Sequence, residues 1–183
     1  MGGGSRTGLY TGDFSTMYTT IPHAALFDSI EACTREAYDF EAKRTELDPS
    51  NICLESSGSV CIRASKSSHG PNSHRKTCKD LNALVRFLVS NTFLCNGKSI
   101  YRQKIGIPMG TNCAPVLANL YLYFYESTYL SRLELKEGPV AAGTFHNTFR
   151  LIDDVLSVDN PLMAAALSKP YEEVKREALS SRG

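Results

Sequence analysis

Tryptophan is absent from this chain of 183 residues, and no two of its six cysteines form a Cys-x-x-Cys pair. The common zinc and dithiol patterns are therefore missing. A chain this long folds without staples, so Cys33, Cys53, Cys61, Cys78, Cys95 and Cys113 read as reduced thiols. Long apolar runs are missing too: the longest, Cys113 to Tyr125, is too short for a membrane span and is broken by Pro115 and Asn119. The opening MGGGSRTGLY has no apolar core of a signal peptide, and Arg6 stands where an N-myristoylation signal requires Ser or Thr. These absences give the expectation of a soluble, intracellular protein, with nuclear residence left open. A dominant charge is also lacking, since 20 basic and 19 acidic residues leave a net +1 and the whole-chain balance indicates no partner.

What is present suits a globular fold of about one domain: 42% hydrophobic and 21% charged residues. Leu9, Tyr10 and Phe14 favour a strand around Asp13, and Pro22 suits the first turn of a following helix. Leu26, Phe27, Ile30, Cys33 and Ala37 form one stripe of a helix over residues 23–38. Residues 39–79, rich in Ser, Gly, Asn and charge, read as a long loop or insertion within a domain covering 1–183. The spacing of Leu81, Leu84, Val85, Leu88 and Val89 predicts an amphipathic helix to about Asn91, with Asp80 as its cap. FLCNGKSIYRQK predicts a hairpin with a type I′ turn at Asn96-Gly97. A buried helix follows, capped by Thr111 or Asn112, and TFRLIDDVLSVD predicts a second hairpin whose turn carries Asp153 and Asp154. Asp159-Asn160-Pro161 then caps a short Ala-rich helix, followed by an amphipathic piece, YEEVKREAL. The order predicts an α+β fold, an antiparallel sheet with helices on one face.

Adjacent acids at a hairpin tip repel one another unless something positive lies close by. Asp153 and Asp154, joined by Asp13 from a neighbouring strand, make an oxygen-rich site suited to Mg²⁺. Two such ions activate an attacking hydroxyl and stabilise a leaving pyrophosphate. A bare Asp-Asp is equally at home in a solvated acidic turn.

Three blocks narrow the choice. DFSTMYTTIP begins at Asp13, QKIGIPMGTNCAPVLANLYLYFYE covers residues 103–126, and FRLIDDVLSV covers 149–158. In this order they resemble the palm of reverse transcriptases, most closely those of Penelope-like retroelements, and FLCNGKSIYRQ before the second block extends the similarity. The resemblance implies a polymerase palm-like sheet and an RNA-directed DNA polymerase, a nucleotidyltransferase that adds dNTPs to a primer 3′-hydroxyl on an RNA or DNA template. It implies Asp13 and Asp153 as the metal-binding carboxylates, with Asp154 the adjacent acid of the pair and the Phe14 backbone carbonyl near two Mg²⁺ ions, for which Mn²⁺ can substitute. It places Tyr18 beneath the nucleotide sugar, where it would exclude a 2′-hydroxyl, and lets Gly106 to Gly110, with Met109, approach the incoming nucleotide. Met109 stands where many other reverse transcriptases carry Gln, which replaces a hydrogen bond with apolar contact. On the residues alone, Tyr18 is also an ordinary buried aromatic, and Pro115 and Asn119 are a cap-region proline and a packing amide.

The near-neutral total hides a segregation of charge. Residues 1–60 carry a net −5, residues 61–104 a net +8, and residues 105–183 a net −2. Arg63, Lys66, Arg75, Lys76, Lys79 and Lys104, with Arg86, Lys98 and Arg102, are candidates for backbone phosphates of a nucleic acid, or else a solvated basic face. Cys61, His69, His74 and Cys78 have zinc-ligand chemistry but no common zinc spacing, and a loop is the plainer reading.

A polymerase of this family also has fingers and a thumb. The twelve residues before Asp13 and the roughly thirty after Asp154 leave the expectation that both are largely missing and that the palm is partial. The alternative function is a non-catalytic, nucleic-acid-binding remnant of a decayed retroelement. Another palm-type enzyme, such as a cyclase, also places paired acids on a hairpin but leaves GIPMGTNCAP unexplained.

Overall fold

A computed structural model describes residues 8–14, 16–57, 60–65, 74–163 and 166, with backbone alone for 56, 57, 60–65 and 74. The fold is mixed α+β, with small antiparallel sheets. The chain divides into two compact units, Met1–Ala25 with Lys104–Gly183, and Leu26–Gln103, where the sequence suggests one domain carrying a loop.

In the first unit, β1 (Leu9–Asp13), β7 (Thr148–Leu151) and β8 (Asp154–Val158) form a sheet of order β1-β8-β7. The second predicted hairpin is therefore present, but its two-residue turn is Ile152-Asp153, and Asp154 already opens β8. Alternation decides this: Leu151 and Asp154 pair across the ladder, which places Val155 and Ser157 on the buried face. A short helix, α1 (Met17–Thr20), follows β1.

The long helix of this unit, α4 (Ala114–Glu137), is not buried all round. Ala114, Leu117, Ala118, Tyr121, Leu122 and Tyr125 recur at helical spacing and are buried, whereas Val116 and Tyr123 are exposed. Its N-cap is Cys113, which makes no side-chain capping bond. Thr111, an expected cap, instead donates its hydroxyl to the Pro108 carbonyl. Gly138, at φ 88°, ends the helix, and α5 (Pro139–Gly143) follows. Asn160 Oδ1 accepts from the Leu162 amide, as a capping residue should. The Ala-rich helix beyond Met163 and the segment YEEVKREAL lie outside the described residues apart from Ala166.

Over 39–79, where a long loop or insertion is expected, the described residues of the second unit carry regular elements, and residues 58, 59 and 66–73 lie outside the described residues. α2 (His23–Thr45), which begins just before the unit boundary, runs beyond residue 38 because Tyr38, Glu41 and Ala42 continue its buried stripe. β2 (Ile52–Ser57) then pairs with both β3 (Val60–Ser65) and β4 (His74–Lys76). The apolar runs Ile52-Cys53-Leu54 and Val60-Cys61-Ile62 are too short for periodicity to reveal them. Burial gives the first run its role: Tyr38, Ala42 and Ile52 cluster, with Leu54, Cys78 and Leu81 packed against them.

α3 (Cys78–Ser90) begins two residues before the expected cap. Thr77 is the N-cap, and Asp80 at N3 returns its carboxylate to the Thr77 amide, a capping box. β5 (Phe93–Asn96) and β6 (Ser99–Arg102) form the other hairpin with Asn96 paired to Ser99. Its turn is thus Gly97-Lys98, with Gly97 at φ 61° in the first central position, the arrangement of a type II′ turn and not of type I′. No disulfide joins the described cysteines Cys33, Cys53, Cys78, Cys95 and Cys113. Among the described residues, no helix is long and apolar enough to cross a membrane.

Candidate active site

The sheet of the first unit has one covered face and one open face. Val155 and Ser157 are buried on the covered side, and Leu9, Phe149, Leu151 and Leu156 are exposed on the other. β1 runs antiparallel to β8 with Leu9 across from Val158 and Asp13 across from Asp154. Directly opposed residues share a face, so Asp13 and Asp154 stand together on the open side, both exposed.

The third acid joins them through the backbone. The Phe14 amide donates to the Asp153 carbonyl at 3.0 Å, which fastens the hairpin turn to the end of β1. The Phe14 carbonyl, offered by the sequence resemblance to a metal, accepts from the Met17 amide at 3.2 Å. In the turn, Ile152 has φ 56°. Left-handed backbone is unfavourable for any β-branched residue, by roughly 1–2 kcal/mol, so strain is stored one residue from the acids.

Tyr18 of α1 is half-buried. Burial pushes its phenol above the ordinary value, and the negative charge of Asp153 adds to the shift. It lines a cavity of about 650 Å³ with Met109, Gly110, Thr111, Asn112, Ala114 and Pro115. The structure therefore brings the predicted nucleotide-binding residues Tyr18, Met109 and Gly110 to one recess, beside the turn that carries Asp153.

A backbone clamp ties the segment before Met109 to the segment from Tyr18 to Pro22. The Gly106 amide donates to the Ile21 carbonyl and the Ile107 amide to the Tyr18 carbonyl, both at 2.7 Å, while Pro22 bridges Ile105. His23 Nε2 lies 2.9 Å from the Gly106 carbonyl, so this ring nitrogen carries the proton. Gly106 is obligatory here: at φ 85°, a Cβ would come within 2.4 Å of the Tyr18 carbonyl oxygen.

The acids suit a hard cation in donor chemistry. In side-chain placement the fit is incomplete, because among the described residues no three His, Cys, Asp or Glu side chains are gathered so as to hold a metal ion. The register pairs Asp13 with Asp154, and Asp153 enters through its turn. Sequence reasoning missed Ile152, His23, Glu126 and the half-buried Arg150. The R-x-x-D-D spacing was the signal available for Arg150, whereas His23 had none.

The basic candidates divide between the units. Arg75 and Lys76 lie on β4 and Lys79 on the first turn of α3, with Lys76 and Lys79 exposed. Register sets Arg63 and Lys76 on either side of Leu54. Lys66, His69 and the side chains of Arg63, Cys61 and His74 lie outside the described residues. Cys78, the remaining zinc candidate, has its Sγ 3.5 Å from Asn82 Nδ2 and 3.8 Å from Thr34 Oγ1. It lies at the edge of a separate cavity of about 630 Å³ that Arg35, Lys79 and Arg86 also line. Lys104, exposed, belongs to the first unit.

A scan against protein-family models finds no match to this chain, and a search of curated protein sequences finds none either.

Proposed function

We propose that this chain is the palm-centred part of a reverse transcriptase, an RNA-directed DNA polymerase of the Penelope-like kind. Its reaction is template-directed addition of dNTPs to a primer 3′-hydroxyl. The observation that carries the reading is the register of Asp13 with Asp154: two sequence blocks at opposite ends of the described chain meet on the open face of one sheet. A polymerase palm needs such an arrangement, helix on one side and acids facing the primer terminus on the other.

In this reading Asp13, Asp153 and Asp154 would hold two Mg²⁺ ions, or Mn²⁺ in their place, which when bound would supply activation of the attacking hydroxyl and charge stabilisation of the leaving pyrophosphate. The chain's own residues do the rest. Tyr18, protonated at neutral pH, presents its ring to the nucleotide sugar, and the clamped turn from Gly106 to Gly110 brings backbone close to the base pair. Met109, exposed at the mouth of the recess, supplies apolar contact in place of a hydrogen bond. The cations Arg75, Lys76, Lys79 and Lys104, with Arg63 and Lys66, neutralise phosphates of template and primer.

A second reading, a nucleic-acid-binding module without turnover, is favoured by the acids' not being gathered into a metal-ready cluster. Gel shifts across a salt series, run beside primer extension in Mg²⁺, separate the two. A steep salt slope together with labelled dNTP incorporation supports the polymerase. The same slope with no incorporation supports the binding module.

A further inference from the structure

Arg150 stands on β7, across from Val155 and therefore on the covered face of the sheet, opposite in direction to the acids. Its side chain is 14% exposed. Nε donates to Glu126 Oε1 at 2.6 Å and Nη2 to Glu126 Oε2 at 3.0 Å, a two-pronged pairing with α4. Nη1 donates to Asn119 Oδ1 at 2.6 Å and to the Ile152 carbonyl at 3.1 Å, and Nη2 reaches the Asn119 carbonyl at 3.5 Å. All five guanidinium protons are directed at acceptors.

One of those acceptors is the left-handed residue of the turn. A β-branched side chain at φ 56° persists only where its surroundings over-determine it. The Ile152 carbonyl is held from the covered face by Arg150, and the next carbonyl, of Asp153, is held from β1 by the Phe14 amide. Glu126 and Asn119 in turn fix the guanidinium to a long helix.

We infer that Arg150 is a positioning residue: anchored on α4 by Glu126 and Asn119, it holds the Ile152-Asp153 turn in its strained form and so aims Asp153 and Asp154 at Asp13. It touches neither substrate nor metal. Its effect on turnover rests on the polymerase reading, whereas its effect on the turn does not. A lysine keeps the charge but replaces the rigid fork with a single ammonium, which cannot span Glu126, Asn119 and the Ile152 carbonyl together.

The test uses the whole chain carrying Arg150→Lys. Hydrogen exchange at the Phe14 amide, which reports the turn docked on β1, is expected to quicken roughly tenfold or more, the scale of losing one charge-assisted hydrogen bond. In primer extension, the Mg²⁺ concentration for half-maximal rate is expected to rise several-fold, with most of the rate restored at saturating Mg²⁺. A merely structural role lowers the melting temperature but leaves the Mg²⁺ dependence unmoved, and that result overturns the proposal. Asn119→Ala, which removes one acceptor and keeps the Glu126 fork, is expected to shift both readings in the same direction by less. It serves as the variant if Arg150→Lys does not fold. If the unaltered chain incorporates no dNTP, the polymerase reading fails and the Phe14 exchange decides alone: quickened exchange sustains the positioning role, and unchanged exchange overturns it.

Discussion

Asp13, the last residue of β1, pairs directly with Asp154, the first residue of β8, so two carboxylates face each other across neighbouring strands. Like charges so placed oppose strand pairing by a few tenths up to about 1 kcal/mol. In the polymerase reading, bound cations would relieve this repulsion.

Asp154→Asn is therefore expected to raise stability in EDTA by a few tenths up to about 1 kcal/mol. Mg²⁺ is expected to raise the melting temperature of the unaltered chain and to do less for the variant. Thermal melts with and without Mg²⁺ measure both. A variant less stable than the parent in EDTA contradicts the charge argument.

At residue 152 the comparison of interest is Ile152→Ala with Ile152→Gly. At ordinary positions alanine is the more stabilising of the two, but at φ 56° the order reverses, and glycine is expected to be more stable by about 1 kcal/mol. Urea denaturation of the pair reads the difference, free of the side chain's own packing. An advantage for alanine means the turn is not left-handed in solution.

The clamp beneath Tyr18 makes a contrast between two glycines. Gly106→Ala forces a Cβ against the Tyr18 carbonyl and is expected to cost more than about 2 kcal/mol. Gly110→Ala, also at positive φ but with nothing within 4 Å of the new Cβ, is expected to cost about 1 kcal/mol. Equal losses in denaturant unfolding contradict the clamp.

These devices were partly legible in the residues. The acids and the two hairpins were visible because turn residues and period-two alternation are local signals, whereas Tyr18, Met109 and Gly110 were brought together only by the resemblance to reverse transcriptases. The turn registers were not: Gly97-Lys98 and Ile152-Asp153 each sit one residue from the expected place. At Ile152-Asp153 the burial of Val155 and Ser157 sets the register, whereas β5 and β6 are exposed throughout and their turn instead takes Gly97 as its first central residue, at positive φ. β2 escaped notice since Ile52 and Leu54 find their apolar partners on α2 and α3, far away in sequence, and β3 and β4 are joined to it by pairing. Arg150 takes its role from acceptors on α4 that lie far away in sequence, Glu126 and Asn119.

Tyr18 carries a pH prediction. Its phenol is raised in the folded chain, by burial first and Asp153 second, so the folded state holds the proton more tightly than the unfolded one. The stability linked to this group is complete below the ordinary value near 10 and is lost as pH rises through the higher folded value. Tyr18→Phe is expected to flatten that alkaline decline, as read from unfolding free energies between about pH 9 and 11. An unchanged slope assigns the decline to other groups. In the polymerase reading, Tyr18→Val also opens the recess beneath the sugar and is expected to raise ribonucleotide relative to deoxyribonucleotide incorporation by about tenfold or more.

Incorporation of labelled dNTP onto a primed RNA template in Mg²⁺, by the chain and by its Asp13→Ala and Asp153→Ala variants, tests the central claim most directly. The expected result is incorporation by the parent and its loss in both variants, each still folded as judged by a cooperative thermal melt. Incorporation by either variant at the parental rate, or none by the parent, contradicts it.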